Sequence, residues 1–214
     1  MKKIFLFAFL TSLIFALSSG AQDAAQPLKN KNIIMIIPDM NFQEDELFIP
    51  EAYFKKRGAN VTLASSKIGE HTGMAGKTVT TETLYLDIDP VNYDAVIFIG
   101  GTGSVQYWDD LIAHSIVKNT VGKKKILGAI CLAPMTLANA GVLKDKNATI
   151  WSDAKDQFIQ KGAKYQGEGV FVDGNIVTAS GPKYAEQFAE EISKLLLTFN
   201  TILNINCIDS IDII

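Results

Sequence analysis

Residues 126–134 read ILGAICLAP, an apolar stretch with one cysteine, Cys131, near its centre. The run at residues 125–130 predicts a strand buried on both faces of a parallel sheet, because such strands are continuously apolar. Small residues before the cysteine permit a tight turn into a helix, which we predict from about Leu132 to Ala140. This turn would hold the thiol at the carboxyl edge of the sheet, where open α/β folds place their sites.

The same alternation of strand and helix recurs along the chain. β-Branched runs predict further strands at residues 32–37, 60–64 and 95–99. A hairpin that turns at Asp173-Gly174 is predicted within residues 169–179. Amphipathic segments predict helices at residues 44–57, after Gly100-Gly101 to about Thr120, and at 184–197. Strands that alternate with helices indicate an α/β fold whose mostly parallel sheet is covered on both faces.

Residues 67–86 depart from this alternation. The segment is rich in glycine and threonine, and it predicts irregular turns with one or two short strands.

The first residues have the pattern of a targeting segment. Lys2 and Lys3 precede an apolar run at residues 4–17, and the small residues Ser19-Gly20-Ala21 follow it. As a helix the run would be about 21 Å long, shorter than the ~30 Å hydrocarbon core of a bilayer. We therefore predict a cleaved signal peptide at residues 1–21 and a secreted or periplasmic protein with no membrane span after cleavage. An uncleaved membrane anchor is the alternative that the sequence leaves open.

The rest of the chain has the size and composition of one globular domain. Of its 214 residues, 48% are hydrophobic, which is enough for a full core. We place this domain at residues 32–197 and have no functional account of the tail at residues 198–214. Loss of the two lysines of the signal peptide, which contains no acids, takes the net charge from −3 to −5. We expect no nucleic-acid partner, because the chain is acidic and has no basic stripe.

Two segments at the predicted sheet edge suit nucleophilic chemistry. A helix after Cys131 would place its positive dipole end at the sulfur, which lowers the thiol pKa and favours the thiolate. Residues 98–103 (FIGGTG) follow a strand directly, and their glycines let backbone amides approach a ligand as an oxyanion hole. The third glycine of a dinucleotide fingerprint is missing, so we predict no cofactor. A small buried hydrophobe and a simple turn are the alternatives for the two segments.

An acidic segment follows the first predicted strand. Glu44 and Asp45 are expected to face water at the start of a helix, where acids complement the helix dipole. Glu46 is followed by apolar residues, and we expect its carboxyl to turn inward. An inward carboxyl beside a thiol can hold or move a proton.

The histidines and the second cysteine give no metal-ligand spacing, so no metal site is predicted. His71 lies in a glycine-rich stretch and is expected in an exposed loop. His114 is expected to pack within a helix or to face solvent. A disulfide between Cys131 and Cys207 would mask the proposed nucleophile; we favour a free thiol, although the pairing stays open.

These segments together resemble the ThiJ/PfpI family, which includes PfpI peptidases and glutathione-independent glyoxalases. The resemblance extends from about Asn32 to Leu197 and includes VFVDGNIVTASGP at residues 170–182. It implies a flavodoxin-like three-layer sandwich with a mostly parallel sheet, of the class I glutamine amidotransferase-like type. It also implies a homo-oligomer such as a homodimer.

The resemblance assigns roles to four residues. Cys131 resembles the family's elbow cysteine, and Glu46 resembles its glutamate partner. Gly101 and Leu132 match the backbone donors of the family's oxyanion hole.

The chain also departs from the family pattern. Peptidase-like members have a histidine directly after the cysteine, where this chain has Leu132, and other members have one near the position of Trp151. Ser180 stands where an arginine is common. Because both histidines of this chain precede Cys131, peptidase and glutamine amidotransferase activities are disfavoured.

The sequence therefore predicts a cofactor-independent enzyme that uses Cys131 on a small carbonyl substrate, with glyoxalase-, deglycase- or hydrolase-like chemistry. One alternative is a non-catalytic stress-response protein whose cysteine is oxidised as a redox sensor. Another is a binding protein whose pocket has lost its chemistry.

Overall fold

The computed structural model describes residues 26–208, and the side chains of residues 26–198. The strands are β1 (Asn32–Ile36), β2 (Met40–Phe42), β3 (Asn60–Ser65), β4 (Gly69–Gly73), β5 (Thr78–Thr81), β6 (Thr83–Leu84), β7 (Ala95–Phe98), β8 (Ile126–Ile130), β9 (Asn147–Ala148), β10 (Lys164–Tyr165), β11 (Val170–Asp173) and β12 (Ile176–Ala179). The α-helices are α1 (Glu44–Lys56), α2 (Leu111–Gly122), α3 (Pro134–Asn139), α4 (Lys155–Gln160) and α5 (Ala185–Ile208).

Within the described residues, a seven-stranded sheet has the order β11-β12-β8-β7-β1-β3-β6. Neighbouring strands are parallel except for β11 and β12, which form the antiparallel hairpin predicted at residues 169–179. The almost entirely apolar strands β1, β7 and β8 lie in the interior of the sheet, where both of their faces are covered.

The two faces of the sheet have separate cores. Ile33 and Met35 of β1 pack on the side of α1 and α5, where Phe188 is fully buried. Ile34 and Ile36 point the other way, into the core beneath α2 and α3. Successive side chains of a strand alternate between faces, so one apolar strand supplies both cores. The predicted three-layer, flavodoxin-like α/β sandwich is confirmed.

Two predicted helices begin later than expected. The helix predicted to follow Gly100-Gly101 is instead a 3-10 segment, Thr102–Tyr107, followed by α2. α2 starts where Asp110 accepts the Ala113 N–H at 2.7 Å, which satisfies a free donor of its first turn. The helix predicted from Leu132 begins only at Pro134, whose ring suits a first helical position.

Residues 67–86 are more ordered than predicted. β4 and β5 pair antiparallel, and β2 adds to β4, so a separate three-stranded sheet forms at the carboxyl end of β1. β2 packs against the glycines that follow β7. A Cβ atom on Gly101 would collide with the Asn41 carbonyl oxygen, and one on Gly103 with the Met40 carbonyl oxygen.

Both ends of the chain extend past the described region. The predicted signal peptide at residues 1–21 lies outside the described residues. The predicted tail is helical at its start, because α5 continues through Thr198 to Ile208. No helix in the described part of the chain is long and apolar enough to cross a membrane.

The contact between β2 and the glycine loop predicts a stability difference between two glycine substitutions. Gly103→Ala is expected to lower the free energy of unfolding by about 1–3 kcal/mol, since the added methyl overpacks the loop against Met40. Gly122→Ala at the end of α2 is the control, because its Cβ meets no atom within 4 Å. Urea unfolding of both variants checks this, and equal stability would contradict the packing described here.

Candidate active site

Cys131 occupies a strained turn at the carboxyl end of β8. Its φ is +63°, a left-handed conformation that costs a non-glycine residue of order 1–3 kcal/mol. Two backbone hydrogen bonds hold the turn: the Cys131 N–H donates to the Ala179 carbonyl at 2.8 Å, and the Trp151 N–H donates to the Cys131 carbonyl at 2.9 Å. The thiol is free, and the residue is only 7% exposed. The predicted elbow is therefore present.

Glu46 turns inward from the first turn of α1, as predicted. Its N–H donates to the Gln43 side chain at 2.9 Å, which caps the helix, and the residue is fully buried. Its carboxyl lies beside the thiol across Gly100. A Cβ atom on Gly100 would stand 2.6 Å from Cys131 Cβ and would collide with Glu46 Oε2. A residue without a side chain is thus required between the two groups.

Burial dominates the electrostatics of this pair. Desolvation raises the pKa of Glu46 to about 8; the neighbouring Cys131 thiol and Gly100 amide act in the opposite direction but do not offset it. Neither carboxyl oxygen has a hydrogen bond of ordinary geometry. Near neutral pH the Glu46 carboxyl therefore holds its proton in most molecules.

The prediction of a lowered thiol pKa is wrong. Desolvation, and then the negative charge of Glu46, raise the pKa of Cys131 to about 12. The helix that was expected to lower it has only six residues and starts three positions after the cysteine. A dipole effect falls off within one turn, so this short, displaced helix contributes little at the sulfur.

Two backbone amides face the sulfur. The N–H groups of Gly101 and Leu132 lower the thiol pKa, although not enough to overcome burial. Gly101 has a φ of +94°, and β2 leaves no room for a side chain there. The two N–H groups that the sequence analysis predicted as oxyanion-hole donors thus lie next to the Cys131 sulfur.

A cavity of 260 Å³ lies beside Trp151, the residue whose N–H donates to the Cys131 carbonyl, and neither Cys131 nor Glu46 lines it. It is lined by Trp151, Ser152, Glu168, Ser180, Gly181, Pro182, Lys183 and Tyr184. The Trp151 ring packs against Gly181, 2.9 Å from the position of a Cβ atom, and 40% of the residue is exposed. Sequence reasoning marked Trp151 and Ser180 only as departures from a family pattern. Their shared cavity depends on tertiary contacts that the sequence does not reveal.

Two other predictions are corrected. Glu44 does not face water: it is buried, and its carboxylate accepts the Ala75 N–H at 2.6 Å, while Asp45 is exposed as expected. His71 is not in an exposed loop: it lies in β4 with its side chain fully buried. Both side chains are enclosed by the hairpin of β4 and β5, a segment for which the sequence predicted irregular turns with one or two short strands but not their pairing.

His114 adds no reactive group to the site. His114 is partly buried in α2, and its Nε2 lies 2.8 Å from the Trp108 carbonyl oxygen. The side chain of Cys207 lies outside the described residues, so the possible disulfide between Cys207 and Cys131 stays a prediction from the sequence. Among residues 26–198, no cluster of three histidine, cysteine, aspartate or glutamate side chains could hold a metal ion.

Comparisons with known proteins match the whole domain. The model of the DJ-1/PfpI family matches residues 31–195. An uncharacterized protein of Methanocaldococcus jannaschii is 35% identical, over 92% of this chain and 98% of its own length. A deglycase of Pyrococcus abyssi is 31% identical, over 76% of this chain and 98% of its own length. The crystal structure of a ThiJ/PfpI domain protein from Brachyspira murdochii has a TM-score of 0.77 and 32% identity, covering 79% of this chain and 98% of that one.

The raised pKa of Glu46 predicts how stability depends on pH. The folded state keeps a proton that the unfolded state releases, so the contribution of Glu46 to stability falls as pH rises from 4.5 to about 8. The shift in pKa from 4.5 to about 8 corresponds to a change of ~5 kcal/mol in the free energy of unfolding. The Glu46→Gln variant has no charge to bury at this position. Its free energy of unfolding is therefore expected to fall by several kcal/mol less than that of the wild type between pH 5 and pH 8.

Urea unfolding at a series of pH values measures this difference. Asp45→Asn is the matched control, because it removes an exposed acid from the same helical turn. Parallel pH profiles for Glu46→Gln and the wild type would contradict the account.

Proposed function

Because the chain belongs to the DJ-1/PfpI family, we propose that it is a cofactor-independent enzyme that uses Cys131 to attack a small carbonyl compound, with glyoxalase- or deglycase-like chemistry. One observation carries the proposal: a fully buried carboxyl with a pKa of about 8 stands beside a thiol at a strained turn. A protein does not bury an acid without hydrogen-bond partners for stability, since that burial is unfavourable.

Glu46 is the general base in this proposal. The pKa of a base works best near the operating pH, and a pKa of about 8 meets that condition. Ionised Glu46 takes the thiol proton as Sγ adds to the carbonyl carbon. Free thiolate is not needed, so the raised pKa of Cys131 is compatible with attack.

The remaining steps use the same groups when methylglyoxal is the substrate. Addition of sulfur to the aldehyde carbon gives a tetrahedral oxyanion that accepts hydrogen bonds from the N–H groups of Gly101 and Leu132. Glu46 returns the thiol proton to this oxyanion, which gives a neutral hemithioacetal and leaves Glu46 ionised again. Glu46 then moves a proton from the aldehyde carbon to the ketone carbon through an enediol, which leaves a lactoyl thioester on Cys131. Water hydrolyses the thioester to lactate and frees the thiol. The ketoaldehyde is oxidised at one carbon and reduced at the next, so no outside electron carrier is required.

The cavity beside Trp151 supports a small substrate. Its 260 Å³ lies below the roughly 300–1,000 Å³ of sites for drug-sized ligands. Trp151 lines this cavity, and its N–H donates to the Cys131 carbonyl, so the cavity neighbours the reactive turn through the main chain although Cys131 itself does not line it. The Pyrococcus abyssi relative is a deglycase, so adducts between such carbonyls and amines are a second substrate class for this chain.

The redox-sensor alternative has less support. Peroxide oxidises the thiolate rather than the thiol, and the pKa of Cys131 is raised. We therefore expect no preferential oxidation of Cys131 when the protein is treated with mild peroxide at pH 7 and analysed by mass spectrometry.

The proposed mechanism predicts which variants lose activity. Consumption of methylglyoxal without glutathione or metal is expected to stop in Cys131→Ser and to fall at least about a hundredfold in Glu46→Gln, since a general base contributes 10²–10⁴. For the wild type, kcat/KM should rise with pH around a midpoint near 8, where Glu46 ionises. Asp45→Asn is the control. Full turnover by Cys131→Ser would reject the proposed cysteine-dependent activity. An unchanged pH profile of kcat/KM in Glu46→Gln would reject Glu46 as the general base.

We also propose that the protein is exported and acts as a homo-oligomer. The support for export is the lysine pair, short apolar run and small residues at the start of the chain. Intact mass of the full-length chain expressed in a bacterium is expected to match cleavage after Ala21, with the product in the periplasm or medium. Recovery of the uncleaved chain in the cytoplasm would contradict export.

Light scattering of the mature protein tests the assembly.

A further inference from the structure

The fully buried side chain of His71 is surrounded by polar atoms. Its Nδ1 lies 3.1 Å from the Asp39 carboxylate oxygen Oδ1 and 3.3 Å from the Asp39 carbonyl oxygen. Its Nε2 lies 2.8 Å from the Thr81 hydroxyl. Thr81 is itself buried, and its hydroxyl is 3.1 Å from the Lys67 carbonyl oxygen. Both ring nitrogens of this buried imidazole therefore lie within hydrogen-bond distance of protein oxygen atoms.

These contacts decide where one ring proton is. Both neighbours of Nδ1 are oxygen atoms that only accept hydrogen bonds, so Nδ1 must carry a proton and donate it to Asp39. The Thr81 hydroxyl can either accept from Nε2 or donate to it. The Asp39 contact therefore does not depend on how the Thr81 side is arranged.

Asp39 connects this imidazole to the candidate active site. Its N–H donates to the Gln106 side chain at 3.1 Å, and Gln106 lies in the 3-10 segment that follows Gly101. Asp39 also directly precedes β2, whose backbone packs against the glycine loop at Gly101 and Gly103. At the end of β2, the Gln43 N–H donates to the Gly100 carbonyl at 3.2 Å. The segment from Asp39 to Gln43 thus encloses the loop that presents the Gly101 amide.

We propose that His71 is a positioning residue: by fixing Asp39 and β2, it holds the Gly101 amide against the sulfur of Cys131. This inference rests on the proposed role of the Gly101 amide as a donor to the sulfur and to the substrate oxyanion. His71 itself touches neither. Instead, its buried Nδ1–H group donates to the carbonyl and carboxylate oxygens of Asp39.

Lys67 is the other cation that contacts Asp39, and it is not equivalent to His71. Its ammonium lies 2.9 Å from the same carboxylate oxygen, but its side chain is 53% exposed. An exposed ion pair holds its partners weakly, since solvent competes for both charges. The buried imidazole also reaches the Asp39 carbonyl oxygen, which fixes the backbone as well as the side chain.

Two amide substitutions separate the two sides of the imidazole. Asparagine at position 71 can place its NH₂ group near Nδ1 and keep the donor to Asp39. Glutamine can place its amide near Nε2, keeping the Thr81 contact while losing the Asp39 contact. We expect His71→Asn to resemble the wild type and His71→Gln to show the loss of positioning.

The first readout is alkylation of Cys131 by iodoacetamide across pH. Because the Gly101 amide stabilises the thiolate, His71→Gln is expected to move the alkylation profile to higher pH and to slow the reaction at pH 8 about tenfold. Lys67→Met is the control and should react as the wild type does. In assays with methylglyoxal, His71→Gln should lower kcat and leave KM nearly unchanged, since the donor acts on the developing oxyanion.

Further measurements keep the test decisive. Nitrogen NMR of the wild type should show a proton on Nδ1 of His71; a bare Nδ1 would overturn the assignment. If His71→Gln does not fold, Asp39→Ala, which removes the carboxylate partner of Nδ1 but keeps the Asp39 carbonyl, should shift the alkylation profile in the same direction by a smaller amount. Equal profiles for His71→Asn, His71→Gln and the wild type would overturn the inference. Alkylation needs no turnover, so an inactive wild type would reject the enzyme function and still leave this test in place.

Discussion

The close approach of the Glu46 carboxyl and the Cys131 thiol across Gly100 is the constraint on which the rest of the site depends. The fully buried carboxyl keeps its proton to about pH 8, although the Cys131 thiol and the Gly100 amide favour its ionised form. Its charge, once formed, opposes ionisation of the thiol. The carboxyl and the thiol therefore both stay protonated at neutral pH, and ionisation of one makes ionisation of the other less favourable. Such coupling suits transfer of a proton during attack rather than storage of a thiolate.

The backbone around this pair is arranged to keep it in place. The left-handed turn at Cys131 is held by bonds to Ala179 and Trp151, which come from two different parts of the chain. On the opposite side, β2 packs so closely against Gly101 and Gly103 that neither position can accept a side chain. The cost of the strained turn and the buried acid is offset by the large apolar cores on both faces of the sheet.

Strand and turn patterns predicted the fold, the elbow at Cys131 and the inward Glu46, because those features follow from local apolar runs and small residues. The sign of the thiol pKa shift was missed, since it depends on how deeply the turn is buried and on how short α3 is. The burial of Glu44 and His71 was missed for a related reason. Both are enclosed by the hairpin of β4 and β5, whose pairing with β2 involves residues about thirty positions apart.

Ionisation of Glu46 in the folded protein tests the central claim most directly. The side-chain carboxyl can be labelled with carbon-13 and followed by NMR across pH, in the wild type and in a Cys131→Ser variant that keeps a small polar group beside it. A titration midpoint near 8 is the result that this account predicts. A midpoint near 4.5, the value for a solvated glutamate, would show that the carboxyl is not a buried proton carrier, and the proposed chemistry would fail with it.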